Sequence, residues 1–170
     1  MNSVLVRWNG LQSDQAEEEI LPCCGSRAWA RGMAARRPIA DECSLFAASD
    51  AIWKGLPETD WMEAFKSHPR IGNSPSPAFG APRSTAWSLE EQRMVGTATE
   101  DVKTALTVGN RAYEQRFKHI FIVCATGKSP REILAILRQR LGNDETTEIC
   151  EAAEQQRQIA QLRLRKWLGS

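Results

Sequence analysis

Apolar residues recur every three or four positions along most of this chain, which is the spacing of one face of an α-helix. Between Asp41 and Gly55 this pattern is clear, with Asp41 suited to cap a helix and Gly55 suited to end it. The same spacing predicts further helices over residues 13–21, 26–36, 57–67, 88–117, 129–141 and 143–167. A chain built mainly from amphipathic helices is therefore expected.

Capping residues indicate where these helices begin. Ser88 with Glu91, and Ser129 with Glu132, have the spacing of a capping box, in which each side chain bonds the other residue's backbone. The other predicted caps are Ser13, Ser26, Asp41, and either Asn143 or Asp144. The capping box at Ser88 would begin the predicted helix over residues 88–117. Gly109 within this helix leaves open whether it is continuous or broken there.

Two stretches interrupt the helical pattern. Residues 69–86 contain four prolines and two glycines, so they predict a long loop. Residues 119–125 are the most apolar run, and their β-branched members predict a buried extended segment with no evident partner strand. The predicted fold is all-α: one bundle-like domain over residues 1–170, with about seven or more helices, one long Pro/Gly-rich loop and one short extended apolar segment.

Composition narrows the class of protein. The chain is 42% hydrophobic and 25% charged, which is ordinary for a globular domain. Its net charge of +1 argues against nucleic acid or an anionic membrane as a partner. No apolar run reaches the roughly 20 residues of a membrane span. Because residues 1–10 lack the pattern of a secretory signal, we expect a cytosolic protein.

Thiols and imidazoles are too few to predict a metal site. The five cysteines include no C-x-x-C pair, and the chain has two histidines. Glycine-rich phosphate-binding motifs are also lacking in the sequence. We therefore expect reduced, mostly buried cysteines and no cofactor.

One candidate catalytic group stands between a predicted helix and the long loop, in the sequence Ser-His-Pro-Arg-Ile-Gly at residues 67–72. Pro69 disfavours helical geometry at His68, so the helix should end there with the imidazole projecting from its end. A titratable side chain beside a long loop suits acid–base chemistry. An ordinary surface histidine is the alternative.

A second candidate lies in the last predicted helix. Ala152, Gln156, Ile159 and Arg163 follow steps of four, three and four, so they share one face, which the apolar members mark as inward. A buried guanidinium is costly unless it meets an anion, and its planar fork suits a substrate carboxylate. Alternatively, Arg163 extends along apolar surface toward water, or pairs with a structural carboxylate.

Three other residues allow two interpretations each. Glu91 either completes the capping box of Ser88 or turns toward a site beside the loop. Cys124 lies within the apolar run with no base near it in sequence, so we interpret it as an inert buried thiol rather than a nucleophile. His119 is interpreted as a packed or surface residue rather than a catalyst.

A wider resemblance is carried by one ordered series of residues. The series is 21–26 (Leu-Pro-Cys-Cys-Gly-Ser), Trp29-Ala30, Asp60-Trp61 with Ala64-Phe65, 67–72, Trp87-Ser88 with Glu91-Gln92, 120–125, Asn143 with Glu148, Ala153-Glu154-Gln155 and Leu162-Arg163-Leu164. Over residues 11–168 this series resembles the OHCU decarboxylase family, which acts on 2-oxo-4-hydroxy-4-carboxy-5-ureidoimidazoline. Lys118-His119 departs from many relatives, which have a glycine followed by an aromatic residue or histidine.

This resemblance implies an all-helical, usually dimeric enzyme for the last step of urate degradation, which forms (S)-allantoin from a small-molecule substrate without a cofactor. It assigns catalysis to His68, Glu91 and Arg163. It assigns substrate binding to the following residues: Pro69, Ser88, Leu89, Glu90, Glu91, Gln92, Phe121, Ile122, Val123, Cys124 and Ala125. In this interpretation His68 is the general acid or base, and Glu91 orients it or the substrate.

Two alternatives belong to other functional classes. A non-catalytic helical interaction module would explain the amphipathic helices, but it leaves His68, Glu91 and an inward Arg163 without a role. A thiol-dependent enzyme would use Cys124 as its nucleophile, and it requires a base beside that sulfur.

Overall fold

The structure is a computed structural model that describes residues 2–72 and 82–170. Within these residues it contains α-helices and two short 3₁₀ turns, Leu21–Cys23 and Arg93–Thr97, and no β-strand. The helices are α1 Ser3–Asn9, α2 Ser13–Ile20, α3 Arg27–Ala35, α4 Glu42–Gly55, α5 Glu58–Lys66, α6 Pro82–Glu91, α7 Glu100–Phe117, α8 Pro130–Arg140 and α9 Glu145–Leu168. The predicted all-α fold is confirmed.

The chain forms two compact units. The first unit consists of residues 1–64 and 157–170. Its core contains Trp8 and Trp167, both fully buried, whose rings meet edge to face at 5.6 Å between centroids. Each indole N–H has a partner: that of Trp8 donates to the Ala16 carbonyl at 2.9 Å, and that of Trp167 donates to the Glu19 carboxylate at 3.0 Å. The two aromatic side chains thereby bury large apolar areas without leaving a polar atom unsatisfied.

The second unit, residues 65–156, has its apolar core between α7 and α8. Leu106, Ile133 and Leu137 are fully buried within it. Gly109 allows the two helices to approach closely, because a Cβ atom at this position would lie 2.7 Å from the Leu137 Cδ2 atom. The sequence left open a break in the helix near Gly109, but α7 continues through it.

The segment predicted to be extended, residues 119–125, is non-helical (the extended segment below), and side chains hold it instead of a partner strand. Residues 120–125 have neither helical nor strand structure, and 121–125 are buried. The Nη1 atom of Arg140 donates to the Ile122 carbonyl at 2.6 Å. Gln155 accepts from the Cys124 amide at 2.9 Å, and Lys128 donates to the Cys124 carbonyl at 2.7 Å. These contacts satisfy backbone groups that a β-ladder would otherwise have to satisfy.

A buried ion pair anchors this arrangement. Arg140 and Glu148 are almost completely buried, and an Nη2 to Oε1 distance of 2.5 Å joins them. The Tyr113 hydroxyl also donates to Glu148 Oε1, and Asn143 donates to the other carboxylate oxygen at 2.8 Å. Because both carboxylate oxygens are hydrogen-bonded, the cost of burying the charge is largely offset. Burial is also the largest cause of the raised pKa of Tyr113.

The prediction that Ser88 and Glu91 form a capping box at the start of a helix is wrong. Ser88 lies near the C-terminal end of α6, which begins at Pro82, a residue whose fixed φ angle suits the first helical position. The predicted helix over 88–117 is consequently interrupted by the 3₁₀ turn Arg93–Thr97, and α7 begins only at Glu100. The predicted loop over 69–86 therefore ends before Pro82, and its residues 73–81 lie outside the described part of the chain.

Most of the other caps are confirmed. Ser26, Asp41 and Ser129 each accept a backbone N–H in the first turn of their helix, and Asp144 does the same for Thr147. The cap predicted at Ser13 is displaced by one residue, because Ser13 is the first residue of α2 and Gln12 is its cap. Helix α1 was not predicted, because its seven residues span too short a stretch to show a clear period.

We predict that Arg140→Met strongly destabilises the protein. This substitution leaves the Glu148 carboxylate buried without its cation and the Ile122 carbonyl without its donor, for which a loss of about 3–5 kcal/mol is expected. Chemical denaturation followed by circular dichroism measures the loss. The matched control is Arg138→Met on the exposed face of the same helix, which should change stability by no more than about 0.5 kcal/mol. Equal effects of the two substitutions would contradict the anchoring role of Arg140.

Candidate active site

His68 lies two residues after the end of helix α5, in agreement with the restriction that Pro69 imposes. The helix ends at Lys66, and the His68 amide donates to the Phe65 carbonyl at 3.1 Å in the closing turn. The half-buried imidazole lies with its Nε2 atom 2.7 Å from Oε1 of Gln156, in the same compact unit. The predicted position of His68 at a helix end is confirmed, and its imidazole is half-buried and hydrogen-bonded.

The residues that follow His68 are fixed to helix α7. The Arg70 guanidinium makes two hydrogen bonds with the Glu114 carboxylate, at 2.5 and 2.8 Å. The Ile71 carbonyl accepts from the buried Asn110 side chain at 2.9 Å. A bidentate ion pair and a buried amide contact thus hold the backbone beside His68 in one position.

A further contact connects this stretch with the end of helix α6. Gly72 has a φ angle of +84°, which glycine adopts at little cost, and its amide donates to Oε1 of Gln92 at 3.3 Å. Glu91, the last residue of α6, is half-buried immediately before Gln92. The capping role considered for Glu91 is excluded, since Ser88 caps no helix.

Glu91 also lies near the extended segment. Burial is the largest cause that raises the pKa of the Cys124 thiol; the Lys128 charge opposes this, and the negative charge of Glu91 adds a smaller increase. An effect of this kind requires the carboxylate to lie within Coulombic range of the sulfur. Within one unit, a hydrogen bond therefore links the stretch after His68 to Gln92, and the charge of the adjacent Glu91 acts on the Cys124 thiol.

The backbone groups of the extended segment differ in their hydrogen bonding. The Cys124 amide and carbonyl are occupied by Gln155 and Lys128, and the Ile122 carbonyl is occupied by Arg140. Within the described residues, neither the amide nor the carbonyl of Val123 has a hydrogen-bond partner. Of the predicted binding residues on α6, Ser88 is buried, whereas Leu89 and Glu90 are exposed.

Arg163 belongs to the other compact unit, where it is completely buried. Its Nη1 atom donates to the Pro22 carbonyl at 3.3 Å. Burial raises the pKa of the neighbouring Cys24 thiol to about 12, although the positive charge of Arg163 partly opposes the shift. The side chain therefore does not extend along apolar surface toward water.

The inward face predicted for the last helix is confirmed. Ala152, Gln156, Ile159 and Arg163 are all buried in α9. Gln156 had no assigned role in the sequence, and its position on this inward face was the one signal that pointed to its contact with His68. The anchoring pair of Arg140 and Glu148 was also missed, because only a folded chain brings a helix end next to residue 122.

The thiol hypothesis is not supported by the surroundings of Cys124. The thiol is buried and its pKa is raised, which is the opposite of an activated thiolate. His119 is likewise packed, with its ring 5.2 Å from that of Phe65 and 5.4 Å from that of Tyr113. Both residues thus have the structural roles that the sequence suggested.

The described residues contain neither a cluster of metal-binding side chains nor a membrane-spanning helix. No three His, Cys, Asp or Glu side chains among residues 2–72 and 82–170 are grouped so that they could hold a metal ion. None of the helices in these ranges combines the length and the hydropathy needed to cross a bilayer. His68 and Glu91 are two titratable groups of the candidate site, and such a pair is suited to proton transfer.

The chain matches a known protein family over most of its length. The model of the OHCU decarboxylase family matches residues 9–165. The uric acid degradation bifunctional protein of Arabidopsis thaliana is 33% identical over 150 residues, which are 88% of this chain and 46% of that protein. The 2-oxo-4-hydroxy-4-carboxy-5-ureidoimidazoline decarboxylase of Amia calva is 32% identical over 130 residues, which are 75% of this chain and 73% of that protein.

A solved structure is also similar. OHCU decarboxylase in the presence of (S)-allantoin superposes with a TM-score of 0.77 at 30% identity, and the match covers 90% of this chain and 99% of that chain. By contrast, this chain spans less than half of the Arabidopsis protein and 25% of a second bifunctional relative, from Bacillus sp. (strain TB-90), at 27% identity.

The fold and the site define an all-α enzyme in which a histidine at a helix end lies in one unit with a buried extended segment. With the family model and the relatives added, the chain belongs to the OHCU decarboxylase family. This confirms the resemblance stated from the sequence and the predicted class of enzyme, a carboxy-lyase.

Proposed function

We propose that the chain, as one domain over residues 1–170, converts 2-oxo-4-hydroxy-4-carboxy-5-ureidoimidazoline into (S)-allantoin and CO₂. Family membership and the similar structure with (S)-allantoin support this reaction. The observation that carries it is a set of interactions in the unit 65–156: His68 contacts Gln156, the Gly72 amide donates to Gln92, and the charge of Glu91 acts on the Cys124 thiol. A non-catalytic module has no use for such a set.

The chemistry needs a proton at one carbon atom of the substrate. When the bond between the ring and the carboxylate carbon breaks, CO₂ leaves. The electron pair of that bond stays with the substrate and enters the unsaturated system of its ring. A proton must then reach the ring carbon that becomes the stereocentre, and delivery from one side gives one enantiomer. We assign this proton transfer to His68, since imidazole exchanges protons near neutral pH.

Glu91 is assigned to orientation. Its carboxylate lies near Cys124, so it can accept a hydrogen bond from the hydroxyl or ureido group of a substrate held against the extended segment. Gln92, which accepts from the Gly72 amide, holds the end of α6 in place beside it. The half-buried position of Glu91 strengthens such a contact, because fewer water molecules compete for the carboxylate.

The extended segment is assigned to recognition of the ring. An imidazoline ring presents N–H and C=O groups, which pair well with backbone groups that are not engaged in a helix. Val123 offers such an amide and carbonyl in the described part of the chain. The other assigned members, Phe121, Ile122, Cys124 and Ala125, supply buried apolar surface around it, and Pro69, Ser88, Leu89 and Glu90 complete the predicted binding set.

Arg163 is assigned to an anionic oxygen of the substrate. Support for this role comes from the complete burial of its guanidinium and from the family resemblance. Its Nη1 atom donates to the Pro22 carbonyl, and its planar fork has the geometry that recognises a carboxylate or an enolate oxygen.

We predict that His68→Ala lowers kcat about 10²- to 10⁴-fold, the usual contribution of a general acid or base. Freshly generated substrate is supplied, and the appearance of optically active allantoin is followed by circular dichroism. Lys66→Ala, an exposed change at the end of the same helix, is the control and should retain the wild-type rate. An unchanged rate in the His68 variant would remove the role proposed for this residue.

The substitution Arg163→Lys tests whether the substrate contact needs the two-pronged guanidinium or only a positive charge. The ammonium group retains the charge but loses the planar fork, so we expect kcat/KM to fall about 10- to 100-fold, the equivalent of one charged hydrogen bond. Arg165→Lys, on the exposed face of the same helix, is the control. If both variants keep the wild-type kcat/KM and the same melting temperature, Arg163 serves packing only.

We infer further that the protein acts in the cytosol as a homodimer. The family resemblance supports the dimer, and five free cysteines suit a reducing compartment. Light scattering after gel filtration should give about twice the chain mass of 19.0 kDa. A mass equal to that of one chain at micromolar concentration would contradict the homodimer.

A further inference from the structure

We propose that Gln156 is a positioning residue for His68 and that it determines which imidazole nitrogen transfers the proton. This inference rests on the proposed function of His68. The observation behind it is the distance of 2.7 Å between Nε2 of His68 and Oε1 of Gln156, both in the unit 65–156.

The chemistry of the two groups fixes the direction of this hydrogen bond. The amide oxygen of Gln156 can only accept, so Nε2 of His68 carries the hydrogen atom. A neutral imidazole has one N–H group, and the lone pair is therefore on Nδ1. Nδ1 is the nitrogen that accepts and returns a proton, while Nε2 remains bonded to Gln156 in both protonation states.

The structure around Gln156 is rigid enough for such a role. Gln156 is completely buried in the middle of α9, a continuous helix. His68 is fixed from the opposite direction, since its amide closes the turn after α5 and the next residues are tied to α7 through Arg70 and Glu114. A ring attached at both its backbone and its Nε2 atom has little freedom to turn, which favours a single productive orientation.

The second histidine provides an internal reference. Nδ1 of His119 lies 2.9 Å from the Ile120 carbonyl, which can only accept, so His119 carries its hydrogen atom on Nδ1. The chain contains these two histidines and no other. The structure thus assigns opposite tautomers to the two imidazoles, and one spectrum can distinguish them.

The test measures tautomers and kinetics separately. Long-range proton–nitrogen correlation spectra of isotope-labelled wild-type protein, without substrate, should show His68 protonated on Nε2 with a slowly exchanging proton, and His119 protonated on Nδ1. In Gln156→Met, which has a similar volume and no acceptor, the slow exchange at His68 should be lost. Its kcat should fall about 10- to 100-fold, as is usual when a supporting hydrogen bond is removed, while KM changes much less.

Two further variants complete the comparison. Gln156→Glu retains an acceptor, so it should keep the slowly exchanging proton on Nε2. Gln139→Met makes the same chemical change at an exposed position of α8, and it should leave both the spectrum and kcat unchanged. The wild-type tautomer needs no variant, so the proposal can be tested even if Gln156→Met does not fold.

Two results would overturn the inference. One is a wild-type His68 that carries its proton on Nδ1; the other is a folded Gln156→Met variant with unchanged proton exchange and unchanged kcat. The proposed function fails on a different observation, namely a wild-type protein that does not decarboxylate the substrate. The tautomers are read without substrate, and the two failures are therefore distinguishable.

Discussion

The buried ion pair between Arg140 and Glu148 is the interaction on which the candidate site depends. An extended segment inside a helical protein must find partners for its backbone groups, and Arg140 supplies one to the Ile122 carbonyl. The Glu148 carboxylate offsets the free-energy cost of burying the Arg140 guanidinium, and Tyr113 and Asn143 complete the hydrogen bonds of the carboxylate. Within the described residues, the neighbouring Val123 amide and carbonyl have no hydrogen-bond partner, and these are the groups to which we assign recognition of the substrate ring.

Helix α9 combines support for this segment with support for the candidate catalytic group. Glu148 holds Arg140, Gln155 binds the Cys124 amide, and Gln156 contacts the His68 imidazole. All three residues belong to one helix, with Glu148 about two turns before the adjacent Gln155 and Gln156, so the spacing between the extended segment and the imidazole is set by a rigid element. The two consecutive glutamines thereby serve two different parts of the same site.

The sequence predicted the helices, most caps and the extended segment, because periodicity and capping are local properties. It misplaced the start of α6, since the Ser88–Glu91 spacing matches a capping box while Pro82 supplies the actual first turn. It could not predict that Gln156 reaches His68 or that Arg140 reaches Ile122, because both contacts join residues far apart in the chain. Hydrophobic periodicity shows which side chains point inward, but it does not show which of them meet.

The central claim is that this fold delivers a proton to one face of a decarboxylated substrate. The most direct measurement is the enantiomeric ratio of allantoin formed from fresh substrate at early times, with and without the wild-type protein. We predict accelerated loss of the substrate and a large excess of the (S) enantiomer with the protein present, against a slow racemic background in buffer. Racemic allantoin formed at the buffer rate in the presence of folded protein would contradict this account.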